Sequence, residues 1–90
     1  MRTGMTRERA ETIGLNGLAF LAANSDGFDR FLRLSGMEVP LLRERASEPD
    51  YLRAVLEFLL TEDALVAEFC KEHKLEARDL HLAQHMLTET

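Results

Sequence analysis

Apolar residues recur along the chain at helical spacing, and this pattern predicts six helices. The first should run from Thr6 or Arg7 to about Ala23. Thr6 is expected to be its N-cap, because a threonine hydroxyl can accept a hydrogen bond from a free backbone N–H in the first turn. Its second half, residues 13–23, is apolar on nearly every side, which indicates a central helix covered by its neighbours.

The next two helices are delimited by turn residues. Ser25 or Asp26 is expected to cap the second helix, and Gly36 should end it in a left-handed conformation. Val39 and Pro40 open a short third helix, since proline is favoured in the first helical turn. The apolar residues of the second helix lie at i, i+3 and i+4: Phe28, Phe31 and Leu32.

Three further helices follow, each after a polar start or break. Ser47 is the expected cap of the fourth helix, ahead of Pro49, and Thr61 is the expected cap of the fifth. A break at residues 74–76 separates the fifth helix from the sixth. The three apolar stripes are Leu52, Val55, Leu56 and Leu59; Leu65, Val66, Phe69 and Cys70; and Leu80, Ala83 and Leu87.

The chain contains no segment with the apolar–polar alternation of a strand, and no linker long enough to divide it. Ninety residues suit one domain. The sequence therefore predicts an all-α fold, a compact single-domain bundle of five to six short helices over residues 1–90. Its ordered core should span about 6–87, with frayed ends at 1–5 and 88–90.

Charge and hydropathy limit the compartments and the classes of partner that the sequence favours. Sixteen acidic and eleven basic residues give a net charge of -5, which disfavours binding to nucleic acid phosphates. The longest apolar stretch is interrupted by Asn16 and is far shorter than the ~20 residues that span a bilayer. Glu8 and Glu11 argue against a signal peptide. The single cysteine suits a reducing compartment. We expect a cytoplasmic protein that binds neither nucleic acid nor membrane.

The stretch CKEHKLEARDLHLAQH, which begins at Cys70, has a cysteine and three histidines at spacings that suit zinc. If the last two helices form an antiparallel pair, His73 and His85 lie too far apart along the axes to share an ion. Cys70 continues an apolar stripe, whereas His81 and His85 lie opposite Ala83 and should face water. We therefore predict a buried, unreactive Cys70 and no metal site; His81 and His85 are only weak metal candidates.

No segment has the pattern of a catalytic or cofactor site. Gly14 and Gly17 lie inside a predicted helix, so they do not form a phosphate-binding loop. We expect them to let a neighbouring helix approach closely. Cys70 and His73 lie three residues apart in mid-helix, where no oxyanion hole accompanies them. We assign no catalytic residue and no cofactor, and expect no enzymatic activity.

Three stretches of the chain resemble an uncharacterised family of small all-helical proteobacterial proteins, a domain of unknown function. They are LAFLAA at 18–23, RFLRLSG at 30–36 and RERASEPDYLRAVLEFLLTEDALVAEFC at 43–70. The resemblance covers about residues 8–80, and its most specific parts are Arg-x-x-Ala-x-x-Pro at 43–49 and Phe-Cys at 69–70. The family pattern includes this cysteine but not the histidines, and usually has glycine where Lys74 stands. It implies a helical cytoplasmic bacterial protein without an established activity.

The apolar residues exceed what a core of this size is expected to bury, and exposed apolar clusters often mark interfaces. We therefore expect a non-enzymatic helical module that interacts with another protein or with itself. The candidate surface consists of Phe28, Phe31, Leu34, Met37 and Val39. The alternative is a regulatory protein that binds a small molecule or a metal, in a crevice beside Gly14 and Gly17 or at the histidine-rich end.

Overall fold

The computed structural model describes residues 5–88, which form six α-helices and no strand. The helices are α1 (Arg7–Ala22), α2 (Ser25–Ser35), α3 (Val39–Arg45), α4 (Pro49–Leu60), α5 (Asp63–His73) and α6 (Ala77–Thr88). The predicted all-α class is confirmed. The expected fraying at 1–4 and 89–90 lies outside the described residues, while Met5 is buried and Thr88 ends α6. Within residues 5–88, no helix has both the length and the apolarity needed to cross a membrane.

The first two helices begin on side-chain caps. The Thr6 hydroxyl accepts a hydrogen bond from the Arg9 N–H at 3.0 Å, as predicted. The cap of α2 is Asn24, whose side-chain oxygen accepts from the Gly27 N–H at 2.9 Å. The prediction of Ser25 or Asp26 as the cap was therefore wrong, because the chain enters the helix one residue earlier.

Two other predicted caps were also wrong. The N-cap position of α4 is Glu48 rather than Ser47, and Glu48 makes no side-chain capping bond. The Thr61 hydroxyl donates to the Phe58 carbonyl at 2.7 Å, so it closes the end of α4. The N-cap residue of α5 is Glu62, whose side chain also makes no capping hydrogen bond. Both helices depend on tertiary packing more than on their caps.

The centre of the core is α4, which packs against α1, α2, α5 and α6. Its four innermost side chains are completely buried: Leu52, Val55, Leu56 and Leu59. The expectation that α1 is the covered central helix was wrong, since Leu15 on its outer face remains 42% exposed. The assumed α5–α6 hairpin was also wrong, because α6 packs mainly on α4 and α1 and only slightly on α5.

Two glycines allow α1 to lie close to α4. A Cβ atom added at Gly14 would lie 2.8 Å from the Leu52 Cβ. One added at Gly17 would lie 3.1 Å from a Leu59 methyl and 3.3 Å from a Val55 methyl. The predicted close approach of a neighbouring helix is confirmed, and it is tighter at Gly14 than at Gly17.

The least anchored element is α3, which connects α2 to α4. Leu42 is its only buried residue, and Val39 and Leu41 are 41% and 40% exposed. No side chain caps its N-terminus. None of the other described helices packs extensively against it.

Candidate functional site

The five residues of the predicted interaction surface do not form one exposed patch. Leu34 is 75% exposed, the most exposed large apolar side chain of residues 5–88, and Val39 is also exposed. Phe28 and Met37 are half-buried. Phe31 does not belong to an exposed surface: it is 1% exposed and packs edge-on against Phe58, with ring centroids 5.6 Å apart.

The burial of Phe31 creates an apolar floor between two helices, which we call the α2–α4 groove. The groove has a volume of about 480 Å³. Its lining residues are Phe31, Leu34, Ser35, Met37, Arg53, Ala54, Glu57, Phe58 and Thr61. Phe31 and Phe58 are buried at its base, while Leu34 stands exposed on the α2 side. Three of the predicted surface residues, Phe31, Leu34 and Met37, thus line one concave site.

The α4 side of this groove carries both signs of charge. An Arg53 nitrogen lies 4.0 Å from a Glu57 carboxylate oxygen, one helical turn away. The Gln84 amide of α6 donates to the other Glu57 oxygen at 3.4 Å. Exposed pairs of this length contribute little to stability. Both charged groups therefore remain available to polar groups of a bound molecule.

The sequence-based prediction missed the α4 wall of the groove. Arg53 and Glu57 occur at i and i+4, so they form one face of α4 beside its buried stripe. Thr61 continues this spacing just past the end of the helix. That periodicity was visible in the sequence. The position of α2 against this face was not, because it depends on how Phe31 packs.

The other two predicted surface residues, Phe28 and Val39, line a second concave site, which we call the α3 groove. It lies between α1, α2 and α3 and has a volume of about 330 Å³. Its lining is Leu18, Ala22, Phe28, Val39, Leu42, Arg43 and Ala46. Arg43 is the only charged residue of this lining.

A third concavity, the α1–α5 cleft, is more polar. It has a volume of about 420 Å³ and is lined by Asn16, Ala19, Phe20, Ala23, Asn24, Glu68, Glu72 and His73. The His73 ring packs at a tilt against the Phe69 ring, with centroids 4.7 Å apart. Phe69 in turn contacts Phe20, with ring centroids 5.4 Å apart. This packing places His73 at the α1–α5 cleft.

The cysteine and histidines do not converge on a metal site. Cys70 is buried, as predicted, while His81 and His85 are exposed on α6, opposite its buried Leu80, Ala83 and Leu87 stripe. Within residues 5–88 no three histidine, cysteine or acidic side chains are placed to hold a metal ion.

Cys70 also lacks the electrostatic surroundings of a nucleophile. Burial raises the pKa of its thiol, and the carboxylates of Asp79 and Glu76 raise it further, because both effects disfavour the thiolate. The thiolate is the reactive form of cysteine.

The space beside Gly14 and Gly17 is not an open crevice. Side chains of α4 fill it: Leu52 lies against Gly14, and Val55 and Leu59 lie against Gly17. The glycines therefore serve helix packing, and concave surface is available elsewhere, in the α2–α4 groove, the α3 groove and the α1–α5 cleft.

Comparison with known proteins identifies a family but not an activity. No curated protein and no solved structure matches the chain. A family model described as protein of unknown function (DUF3572) matches residues 7–90. This confirms the resemblance to an uncharacterised all-helical family, and the chain belongs to the DUF3572 family.

Proposed function

We propose that the protein is a non-enzymatic interaction module that binds a helix of another protein in the α2–α4 groove. The observation that supports this most is Leu34, which is 75% exposed at the edge of an apolar groove. Exposing a leucine beside Phe31, Met37 and Phe58 leaves apolar surface in water that a partner helix could bury.

The size of the groove favours one helix over a whole folded domain. Nine residues line it, whereas a standard interface between folded proteins uses about 20–30 residues on each side. An amphipathic helix needs only a few apolar anchors at i, i+3, i+4 and i+7 to fill such a groove. The two walls, α2 and α4, supply apolar contacts on both sides of the inserted anchors.

The charges around the groove favour a partner helix with polar residues of both signs beside its anchors. The nearest Arg53 nitrogen and Glu57 oxygen are 4.0 Å apart, and both side chains are partly exposed. Either group can therefore leave this weak ion pair and bind a charged group of the partner. Arg33 lies on another face of α2, beside Asp26, Asp29 and Arg30, so Arg53 and Glu57 are the charged residues of this groove. An acidic residue beside the apolar anchors would complement Arg53, and a basic one would complement Glu57.

The remaining parts of the proposal rest on the chemistry of the chain. A non-enzymatic role is supported by Cys70, whose raised pKa does not suit a nucleophile. A single buried cysteine is compatible with a reducing cytoplasm, and the family resemblance implies a bacterial one. The net charge of -5 disfavours nucleic acid as the partner.

The test compares two exposed leucines. Leu34→Asp places a charge at the groove, whereas Leu82→Asp places the same charge on α6, where the leucine is 39% exposed and lines none of the grooves described above. Neither substitution removes a buried side chain, so both variants should stay folded. A photo-reactive amino acid introduced at position 34 or at position 82 then captures contacting proteins in native lysate.

A captured protein supports the proposal only if one of its helical segments, made as a peptide, binds the purified chain in a fluorescence anisotropy titration. That binding should be lost with Leu34→Asp and retained with Leu82→Asp. Size-exclusion chromatography with light scattering checks for a second copy as the occupant. Equal peptide binding by both variants, or a dimer that dissociates with Leu34→Asp, would show that the proposed occupant is wrong.

A further inference from the structure

We infer that the α3 groove is a binding site for a small anionic amphiphile: a free carboxylic acid with a medium-length alkyl chain. The alkyl chain would lie along the apolar lining, and the carboxylate would pair with Arg43. This site is separate from the α2–α4 groove, with which it shares no lining residue.

The composition of the lining indicates the class of ligand. Six of its seven residues are apolar, and only Arg43 can make a charged contact. Small-molecule sites commonly combine a mostly apolar surface with a few polar groups that orient the ligand. The guanidinium forms no ion pair with a carboxylate of residues 5–88. A planar guanidinium matches a carboxylate through two parallel hydrogen bonds.

The dimensions of the groove limit the length of the ligand. Its volume of about 330 Å³ is at the lower end of the ~300–1,000 Å³ of ligand sites. This favours a single alkyl chain of medium length over a two-chain lipid. It also disfavours a protein helix, for which the larger α2–α4 groove offers more room.

The weak attachment of α3 gives ligand binding a measurable consequence. Leu42 is the only buried residue of α3, and no described helix packs extensively against it. An alkyl chain lying between α3 and the residues Leu18, Ala22 and Phe28 would add apolar contacts on the inner side of α3. A ligand that binds α3 only when α3 lies against α1 and α2 stabilises that position by mass action. Binding should therefore slow backbone hydrogen exchange in residues 39–45.

The experiment titrates the full chain with decanoate below its micellar concentration, by calorimetry and by hydrogen exchange. Decanol and decyltrimethylammonium, which have the same chain length with a neutral or a positive head, are the ligand controls. We expect one bound decanoate per chain, weaker binding of both controls, and protection of α3. Arg43→Gln should weaken decanoate binding about tenfold, because a charge-assisted hydrogen bond is lost.

Matched variants locate the site. Ala22→Leu should abolish binding by filling the groove from an exposed position on α1, so the fold is not at risk. Ala67→Leu makes the same change on the exposed face of α5 and should bind normally. Arg33→Gln controls for the loss of an arginine outside the groove. Leu34→Asp should leave decanoate binding unchanged, so this inference and the proposed helix-binding function can fail separately.

Several results would overturn the inference. If decanol binds as tightly as decanoate, or if Arg43→Gln binds decanoate with unchanged affinity, the anionic head group does not contribute to binding. Binding that persists in Ala22→Leu, or that protects α5 instead of α3, would place the ligand elsewhere. If decanoate does not bind the folded chain at all, the proposed site does not exist.

Discussion

Alanine substitutions at Gly14 and Gly17 test how α1 is held against α4. Both glycines lie inside α1, where alanine is favoured over glycine by about 1 kcal/mol on helix propensity alone. Propensity therefore predicts that both substitutions raise the free energy of unfolding. Packing against α4 opposes this gain, and the opposition differs between the two sites.

At Gly14 we expect packing to prevail. The new Cβ would lie 2.8 Å from the Leu52 Cβ, about 0.7 Å closer than the shortest favourable carbon–carbon separation of ~3.5 Å. A Cβ atom is fixed to the backbone, so only a displacement of the helices relieves this contact. Overpacking of this kind costs about 1–3 kcal/mol. After subtraction of the propensity gain, Gly14→Ala should lower the free energy of unfolding by about 1 kcal/mol.

At Gly17 we expect the two effects nearly to cancel. The nearest atoms are methyl groups of Leu59 and Val55 at 3.1 and 3.3 Å, farther than the 2.8 Å contact at Gly14. Shifts of a few tenths of an ångström are therefore enough to accommodate the new Cβ. Gly17→Ala should therefore change the free energy of unfolding by less than about 1 kcal/mol. Gly17→Leu has no such space beside it and should lose about 2 kcal/mol or more.

Urea unfolding followed by far-ultraviolet circular dichroism measures these differences, provided that the urea dependence of the free energy of unfolding is similar among the variants. Gly36→Ala is the control for a purely backbone effect. Its Cβ would meet no atom within 4 Å, but φ is +72° there, and a left-handed alanine costs about 1–2 kcal/mol. A Gly14→Ala variant stabilised by the full propensity gain would refute the close contact between α1 and α4.

Three further measurements check local features. Cys70 should react with a maleimide much more slowly in the native protein than in denaturant, because burial and nearby carboxylates raise its pKa; equal rates would contradict this. Asn24→Ala should cost about 1 kcal/mol through loss of the α2 cap, whereas Ser25→Ala should stay within about 0.5 kcal/mol; similar losses would show that Asn24 is not the dominant cap. EDTA should leave the melting temperature unchanged, and replacing His81 and His85 by alanine should cost no more than about 0.5 kcal/mol. Stoichiometric zinc that survives dialysis, with a large drop in melting temperature on chelation, would refute the absence of a structural metal.

Helix number and facing were predictable because they depend on local spacing. The stripe Leu80, Ala83 and Leu87 is buried and His81 is exposed, as a period of 3.6 residues requires. Cap residues were harder to predict. Where several polar residues adjoin, as at Asn24 and Ser25, each can bond the backbone, and the path of the chain decides which one does.

The packing partners of the helices were not predictable from spacing. The apolar run of α1 suggested that α1 is the central helix, covered by its neighbours. The central helix is instead α4, and Leu15 of α1 is exposed. The same limit applies to the candidate site. The sequence showed more apolar residues than expected, but not that Phe31 would pair with Phe58 and leave Leu34 outside. Those outcomes depend on contacts between residues far apart in sequence.

The central position of α4 has a consequence for the order of folding during synthesis. The larger part of the packing surface of α1 is formed by α4 and α6, and α2 contributes a smaller part. Because α2 and α3 come between α1 and α4 in the chain, α1 has little beyond α2 to pack against until α4 has been made. The part of its surface that faces α4, which includes Gly14 and Gly17, must remain unburied through that interval. Only the emergence of α6 provides the remaining partner of α1 and α4. Domains generally fold as units during translation, and this unit is complete only when Leu80, Ala83 and Leu87 have been made.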